Sequence, residues 1–342
     1  MRVTAVTCVK NEGPFLLEWI AWNRLIGVTD HLIYSNDCDD GTDTLLDALA
    51  AAGLVAHHAN PARGRAYQME ALKDARRHRI VRRADWLWIA DVDEFLNIRA
   101  GAGDIASLVA ACGDPHAISV SFQFFANGGV ERFVDAPVIG QFDRSHNPDI
   151  WCGDTAIEVK SLVRADFPFG YLGAHRPFHD PDGPADRSLV WTDGSGRKVP
   201  RAFRRHARKR RIRAFPAQGA RVHATLNHYA LRSLESYLVK TDRGDVNREN
   251  RAFDDTYWRE RNDAAWTDRS IQARLPALEA AIAELKALPD VARLHDAAVA
   301  AHRAKAARLM AAPAGRAMAE ALRRADPLPP AEAALRAELE GP

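Results

Sequence analysis

Asp91, Val92, Asp93 and Glu94 place three carboxylates within four residues, directly after the apolar run Trp86-Leu87-Trp88-Ile89-Ala90. A run of that length and aromatic content predicts a fully buried strand, so the acids stand where the strand leaves its sheet. If extended geometry continues, side chains alternate, and Asp91 and Asp93 share one side with Val92 facing away. Two hard oxygen ligands so spaced suit Mg²⁺ or Mn²⁺, ions that keep open positions for phosphate oxygens. The competing reading is a solvated acidic turn after a core strand.

Strand–helix alternation positions these acids. Residues 2–9 read as a strand ending in Lys10-Asn11-Glu12-Gly13-Pro14, and residues 15–26 as a helix with an apolar face toward a sheet. Residues 31–35 read as a second strand, 42–52 as a helix, 54–57 as a third strand, and 65–83 as one long basic helix leading to Trp86. This β-α-β-α-β-α-β order predicts an α/β fold, a mostly parallel sheet flanked by helices. Ligands of such sheets gather beyond the carboxyl ends of strands, so the turns after Val9, Ser35 and Ala90 converge on one crevice. Residues 117–125, 138–142 and 156–164 read as further strands, and 167–227 as a loop-rich acceptor surface or lid. Helices resume at Ser233. The expected division is a catalytic domain over residues 1–250, with acceptor-side loops at about 125–225, and a C-terminal helical extension over 251–342.

The chain has 342 residues, 47% hydrophobic and 27% charged, which is ordinary for a soluble globular protein with a substantial core. Its net charge of +2 creates no global field that demands a polyanionic partner. Cys8, Cys38, Cys112 and Cys152 are scattered and form no C-x-x-C. That pattern predicts reduced thiols in a cytoplasmic setting, without a disulfide scaffold or zinc site. No stretch approaches the roughly 18 apolar residues of a membrane span, and the first nine residues are too short for a signal-peptide core.

Four blocks, in order, resemble the GT-A fold glycosyltransferases of the family 2 type, most closely the bacterial branch related to family 92. Lys10-Asn11-Glu12 before Leu17-Glu18-Trp19 is similar to that branch's NE-x-x-x-x-x-EW opening. Tyr34-Ser35-Asn36-Asp37-Cys38-Asp39-Asp40-Gly41-Thr42 is similar to the family's DDGSxDGT turn after a strand. Asp91-Val92-Asp93-Glu94-Phe95-Leu96 resembles DxDEFL, and Asn227-His228-Tyr229 with Ser233, Tyr237, Lys240 and Arg243-Gly244 resembles the downstream NHY block. Together they span roughly residues 1–250.

The resemblance implies a Rossmann-like GT-A domain that moves a sugar from a nucleotide-sugar donor to a glycan or lipid-linked acceptor, with a metal ion and with inversion. Departure of a diphosphate is helped most by a cation bridging its oxygens. Asp91 and Asp93 would hold Mn²⁺ or Mg²⁺, with His228 as a further metal or phosphate contact and His175 as its rival; a structural histidine is the other reading of each. Donor contacts implied by the resemblance are Asn11, Glu12, Arg65 beside Gly64, and Asn36. The family usually has a base-reading aspartate at that last position, where an amide still donates and accepts. Lys240 and Arg243 would bind the diphosphate, unless they are solvated surface cations. Asp40-Gly41-Thr42 is more simply a helix-capping turn.

Inverting transfer needs a carboxylate within hydrogen-bond reach of the acceptor hydroxyl. Glu131, Asp149, Asp154 and Glu158 fall in the plausible zone, and Asp154 leads because it follows Trp151-Cys152-Gly153, where an aromatic ring would floor a sugar. Residues 197–213 hold ten Lys or Arg in seventeen positions. They read as a mobile acceptor-side element that engages an anionic glycan, a lipid phosphate or the inner membrane surface. The same run raises a nucleic-acid alternative, weakened by Phe203 as its lone aromatic. A metal-dependent phosphatase is the other rival, but it expects D-x-D after the first strand, and here three strands precede it. A catalytically silent sugar-binding homologue is a third, against which the intact carboxylate pair stands.

Overall fold

In the computed structural model, which describes residues 1–64, 66–148, 159–178, 188–200, 203–204, 219–244 and 255–327, the chain opens with strand–helix alternation. β1 (Val3–Val9), α1 (Gly13–Leu25), β2 (Asp30–Ser35), α2 (Thr42–Ala51), β3 (Ala56–Ala59), α3 (Tyr67–Ala75), α4 (Arg79–Arg82) and β4 (Trp86–Ile89) follow in order. Next come β5 (Glu94–Ile98), α5 (Ile105–Ala111), β6 (Ala117–Phe124), α6 (Val138–Gln141), β7 (Arg144–Ser145), β8 (Val159–Arg164), β9 (Trp191–Asp193) and β10 (Ala224–His228). Helices α7 (Leu234–Arg243) and α8 (Asp255–Arg259), the short strand β11 (Trp266–Thr267), and helices α9 (Leu275–Lys286), α10 (Val291–Ala311) and α11 (Pro313–Arg324) complete the described chain.

The sheet runs β3-β2-β1-β4-β8-β6-β10-β5, with β9 also on β6. Its first four strands are parallel, as crossover helices require. β8 runs against both its neighbours, and β5 against β10. α1 and α2 cover one face, burying Trp19, Ile20, Leu45 and Leu46; α3 and α4 cover the other, where Leu72 and Val81 meet Leu32 and Ile89. The alternation therefore predicts the α/β fold correctly.

The structure departs from the sequence reading in three places. Residues 138–142, read as a strand, begin instead with one helical turn, because the Glu18 carboxylate of α1 accepts the amides of Val138 (2.8 Å) and Ile139 (3.1 Å). Two free N–H groups at a helix start are what an acid stabilises best. The basic stretch 65–83 is two helices, broken where the Arg77 and His78 amides turn back to Asp74 and Ala75. The Trp86 strand ends at Ile89, and Asp91–Glu94 close a tight turn through the Glu94 amide and the Asp91 carbonyl (3.0 Å). Strand alternation therefore does not apply to Asp91 and Asp93.

The C-terminal helices share the main core. Leu278, Leu285 and Val291 join the cluster built on α1, and Ala319 and Leu322 bury against Leu234, Tyr237 and Leu238 of α7. Among the described residues no helix is long and apolar enough to cross a membrane. Cys8, Cys38 and Cys112 are free thiols, and Cys152 lies outside the described residues.

Candidate functional site

The carboxyl ends of β1, β2, β4, β6 and β10 meet the starts of the antiparallel strands β5 and β8 at one edge of the sheet. Register brings His228 opposite Glu94 on one side and Phe124 on the other, and Lys160 opposite Val120. The turn of acids thus faces a histidine more than 130 positions later in the chain.

Asp93 is the buried centre. Its Oδ1 lies 3.4 Å from His228 Nε2, and its Oδ2 accepts from Lys240 Nζ at 2.9 Å. Burial alone would raise its carboxyl; Lys240 and His228 outweigh burial and hold it well below the usual carboxylate range. Lys240 comes from α7, a helix that Ser233 caps by accepting the Ser236 amide, and its Nζ also donates to the Ala230 carbonyl. The His228 ring lies against Phe122 and Phe124, with centroids 5.0 and 5.4 Å away, and burial keeps it below the ordinary imidazole value.

Asp91 is the exposed partner. Its side chain is 35% accessible and accepts from Gln68 Nε2 at 3.2 Å and Lys160 Nζ at 3.1 Å. Glu94 is buried, accepts the Asp91 amide at 2.8 Å, and lies 3.2 Å from Lys160. Burial raises its carboxyl well above the ordinary range, and Lys160 offsets that only in part. Lys160 is fully buried; burial would lower its ammonium, but Asp91 and Glu94 hold it above its ordinary value.

A further layer surrounds Glu12. Its Oε2 meets Arg232 Nη1 at 2.9 Å and its Oε1 meets Arg243 Nη1 at 2.5 Å. Burial would raise this carboxyl, and the two guanidiniums lower it. Arg243 Nη1 also donates to the carbonyls of Lys10 and Asn11, and Arg232 covers the Phe15 ring with its guanidinium 3.5 Å from the ring centre. Asn11 exchanges two hydrogen bonds with Asp39, and Asp40 accepts from Thr42 and the Gly13 amide, the capping role expected of it. Asn36 is buried, and its Oδ1 has no partner among the described residues. Asn11, Asp37, Ala66 and Arg232, all in loops around this edge, hold left-handed backbone with φ of 52°, 48°, 54° and 55°.

Asp91, Asp93, His228, Lys240, Arg243, Glu12, Asn11 and Asn36 thus lie at the same edge of the sheet. His228 is the imidazole that meets Asp93. His175 instead bonds the Val159 carbonyl through Nδ1, and its ring lies against Phe122. Glu131 drops out as a base, because Arg323 holds it in a surface ion pair at 2.7 Å. Arg65, Asp149, Asp154 and Glu158 lie outside the described residues, as do residues 201–202 and 205–213 of the basic run. At the start of that run Arg197 pairs with Asp193 at 2.7 Å, and Val199 and Phe203 are buried. Sequence reasoning missed Lys160, Gln68 and Arg232. The available signal was a lysine flanked by Val159, Leu162 and Val163 inside a central strand.

Asp93, Glu94 and His228 each offer a ligand atom within 4.8 Å of the others. Two carboxylates and an imidazole fit a divalent cation such as Mn²⁺ or Mg²⁺, and Asp91 lies on the solvent side of the same turn. The sequence profile of Glycosyltransferase family 92 matches residues 4–198, a stretch that runs from the second residue of β1 through β9 and holds the whole acid turn. A glycosyltransferase family 92 protein of Ricinus communis is 29% identical over 99 residues, 28% of this chain and 17% of that protein. One from Arabidopsis thaliana is 31% identical over 93 residues, 26% of this chain and 15% of that protein. The matches thus span under a fifth of these relatives' length. Residues 1–349 of S. aureus TarS cover 95% of this chain and 92% of that one at 9% identity, with a TM-score of 0.32, a likeness too slight to bear on mechanism. With more than half its length matched by the profile, including the turn that carries Asp91, Asp93 and Glu94, the chain belongs to glycosyltransferase family 92.

Proposed function

We propose that this chain transfers a sugar from a nucleoside-diphosphate sugar to a hydroxyl of a glycan or lipid-linked acceptor, with Mn²⁺ or Mg²⁺ and with inversion. The observation that carries this reading is the meeting of Asp93, Glu94 and His228 with Lys240 and Arg243 at the carboxyl edge of a parallel sheet. Asp91, Asp93 and His228 would hold the ion, with Glu94 beside them. An ion held there would supply charge neutralisation for the departing diphosphate.

The chain's own residues do the rest. Lys240 and Arg243 supply N–H donors on the far side of the acids and orient the diphosphate oxygens. Asn36, whose buried Oδ1 has no partner among the described residues, would read a nucleobase edge, and Asn11 with Glu12 would shape the loop against which the donor lies. A carboxylate, for which Asp154 is our candidate, takes the acceptor proton while the new bond to the anomeric carbon forms and the bond to the diphosphate breaks. Residues 1–250 would carry donor chemistry, with 251–342 as their helical support.

A thermal-shift screen of nucleoside diphosphates and their sugars, with and without Mn²⁺, tests the donor class, because a ligand of the folded state raises Tm with occupancy. UDP- or GDP-sugars should raise Tm more with Mn²⁺ than with chelator. Equal shifts in both would remove the metal from the reading, and no shift with any nucleotide would overturn the donor assignment.

A further inference from the structure

On the face of the sheet that α3 covers, an open groove of about 540 Å³ lies between this helix and the loop that follows β8. Leu72 and Leu172, 1% and 3% exposed, form its floor. Tyr171 makes one wall: its ring stacks on Phe178 with centroids 4.2 Å apart, and the two residues exchange backbone hydrogen bonds. Met69, Lys73 and Arg76 line the opposite wall at helical spacing, with Met69 open to solvent. Arg76 ties the two walls together, its Nη1 donating to the Gly170 carbonyl at 3.2 Å. Arg77 completes the rim, with no hydrogen bond or salt bridge among the described residues, though its charge acts on Asp74. The acids of this stretch are Glu70, which pairs with Lys73 at 2.5 Å, and Asp74, which accepts from Tyr34 Oη and meets His78 Nε2, both at 2.9 Å. Three cations against these two acids leave residues 67–77 with one positive charge beside an apolar floor.

We propose that this groove binds one molecule of an amphiphilic anion, an alkyl chain that carries a phosphate, with the chain on Leu72 and Leu172 and the phosphate at Lys73, Arg76 and Arg77. A bare anion would leave the apolar floor wet, and an uncharged apolar segment would desolvate cations that it cannot pair. A chain with a phosphate head meets both parts, since guanidinium and ammonium groups donate strongly to phosphate oxygens. The volume is that of a cleft for a single small molecule. The Tyr171 and Phe178 pair fixes its wall in advance, which lowers the ordering cost of binding. The groove also adjoins the acid turn. Gln68, whose Nε2 donates to Asp91 at 3.2 Å, lies one helical turn before Leu72, about 6 Å along α3. The inference stands apart from the donor reading, because no residue of the groove is among those that would hold the ion or the diphosphate.

The test is calorimetric titration of the full chain with hexyl, octyl and decyl phosphate, each below its micelle concentration, beside octyl glucoside and inorganic phosphate. One equivalent of alkyl phosphate should bind, about tenfold more tightly for every two carbons added, the gain expected from burying two methylenes. Octyl phosphate should bind at least about tenfold more tightly than octyl glucoside or inorganic phosphate, each of which offers only half of the match. Met69→Asp sets a carboxylate in the groove and should weaken octyl phosphate about tenfold or more while leaving the circular-dichroism spectrum intact. Arg77→Gln, at the exposed rim, should weaken it about tenfold, as loss of one charge-assisted hydrogen bond does, and makes the same measurement should Met69→Asp fail to fold. Octyl phosphate that binds no more tightly than both reference compounds would overturn the inference, as would an affinity unchanged in both variants. Binding to vesicles of phosphatidylglycerol without binding to any single alkyl phosphate would overturn it too, and would make this face a membrane contact and not a ligand site.

Discussion

Among the described residues, two places bring two acids and an imidazole within 4.8 Å: Asp93, Glu94 and His228, and Asp135, His295 and Asp296. By residue type they are equivalent. The first is buried throughout, ringed by Lys160, Lys240 and two phenylalanines, and assembled from β5, β10 and the turn between β4 and β5. The second has a buried His295 between acids open to solvent; its Nε2 meets Asp135 at 3.1 Å and ties α10 to the loop before α6. The difference is the cost of charge. A carboxylate in water needs no partner, whereas one inside the protein must be matched, and the matched first cluster is the one proposed here as the site, with the second as a brace.

The sharpest break between the two is kinetic. Asp93→Asn should lower sugar transfer or donor hydrolysis by about 100-fold or more while leaving the circular-dichroism spectrum intact, because groups that hold or orient a catalytic ion carry effects of at least that size. Asp135→Asn should leave the rate unchanged. Equal losses in the two variants would erase the distinction.

The next effect is on stability. Lys160→Met leaves Asp91 and Glu94 without their cation and should cost about 3–5 kcal/mol in denaturant unfolding, the range for breaking a buried pair from one side. An unchanged midpoint would show that Lys160 is not what matches the buried acid.

Glu18 provides a control, a buried carboxylate stabilised chiefly by backbone amides, with Arg232 adding to them. Burial lifts it to about 7 against the pull of the Val138 and Ile139 amides. Because the folded state then holds a proton that the unfolded chain releases, stability should fall as pH rises from about 4.5 to about 7, by about 3 kcal/mol at most. Glu18→Gln should flatten that slope and lower Tm in acid, where one helix-start amide loses its acceptor and wild type does not yet bear the cost of ionisation. A slope identical to wild type would refute the assignment.

The smallest effect belongs to the brace. His295 first, and Lys286 with Arg303 after it, hold the Asp135 carboxyl below its ordinary value. Its stabilisation is present above the unfolded carboxylate pKa and is lost as pH falls through the lower folded value. Asp135→Asn should therefore cost about 1 kcal/mol or less at neutral pH, and less still in acid.

The sheet and its crevice were legible because β1, β2 and β4 are apolar runs that end abruptly in Asn11-Glu12, Asn36-Asp37 and Asp91. His228 and Lys240 were legible through the block that holds them. The turn geometry of Asp91–Glu94 was not, since Val-Asp-Glu is compatible with extended chain and turn alike, and β5 finds its partner only in β10. Lys160 was hidden for a related reason: a lysine reads as solvent-facing, and its match to Asp91 spans 69 positions. The helix at Val138–Gln141 depends on an acid in α1, a contact that no local pattern of Val, Ile, Gly and Gln announces.

The left-handed residues at the rim carry one more consequence. Asn and Asp tolerate that backbone readily, whereas Ala66 and Arg232 hold it at a cost of order 1 kcal/mol or more. Glycine at 66 would relax the chain, so selection for heat resistance would favour that substitution. At 11 and 232 the same exchange would release Asp39 and Glu12, and at 232 the loss of a buried ion pair outweighs the relief of backbone strain. Thermal hardening by glycine is therefore open at Ala66 and closed at Arg232, where the strained residue is also the one that holds the rim together.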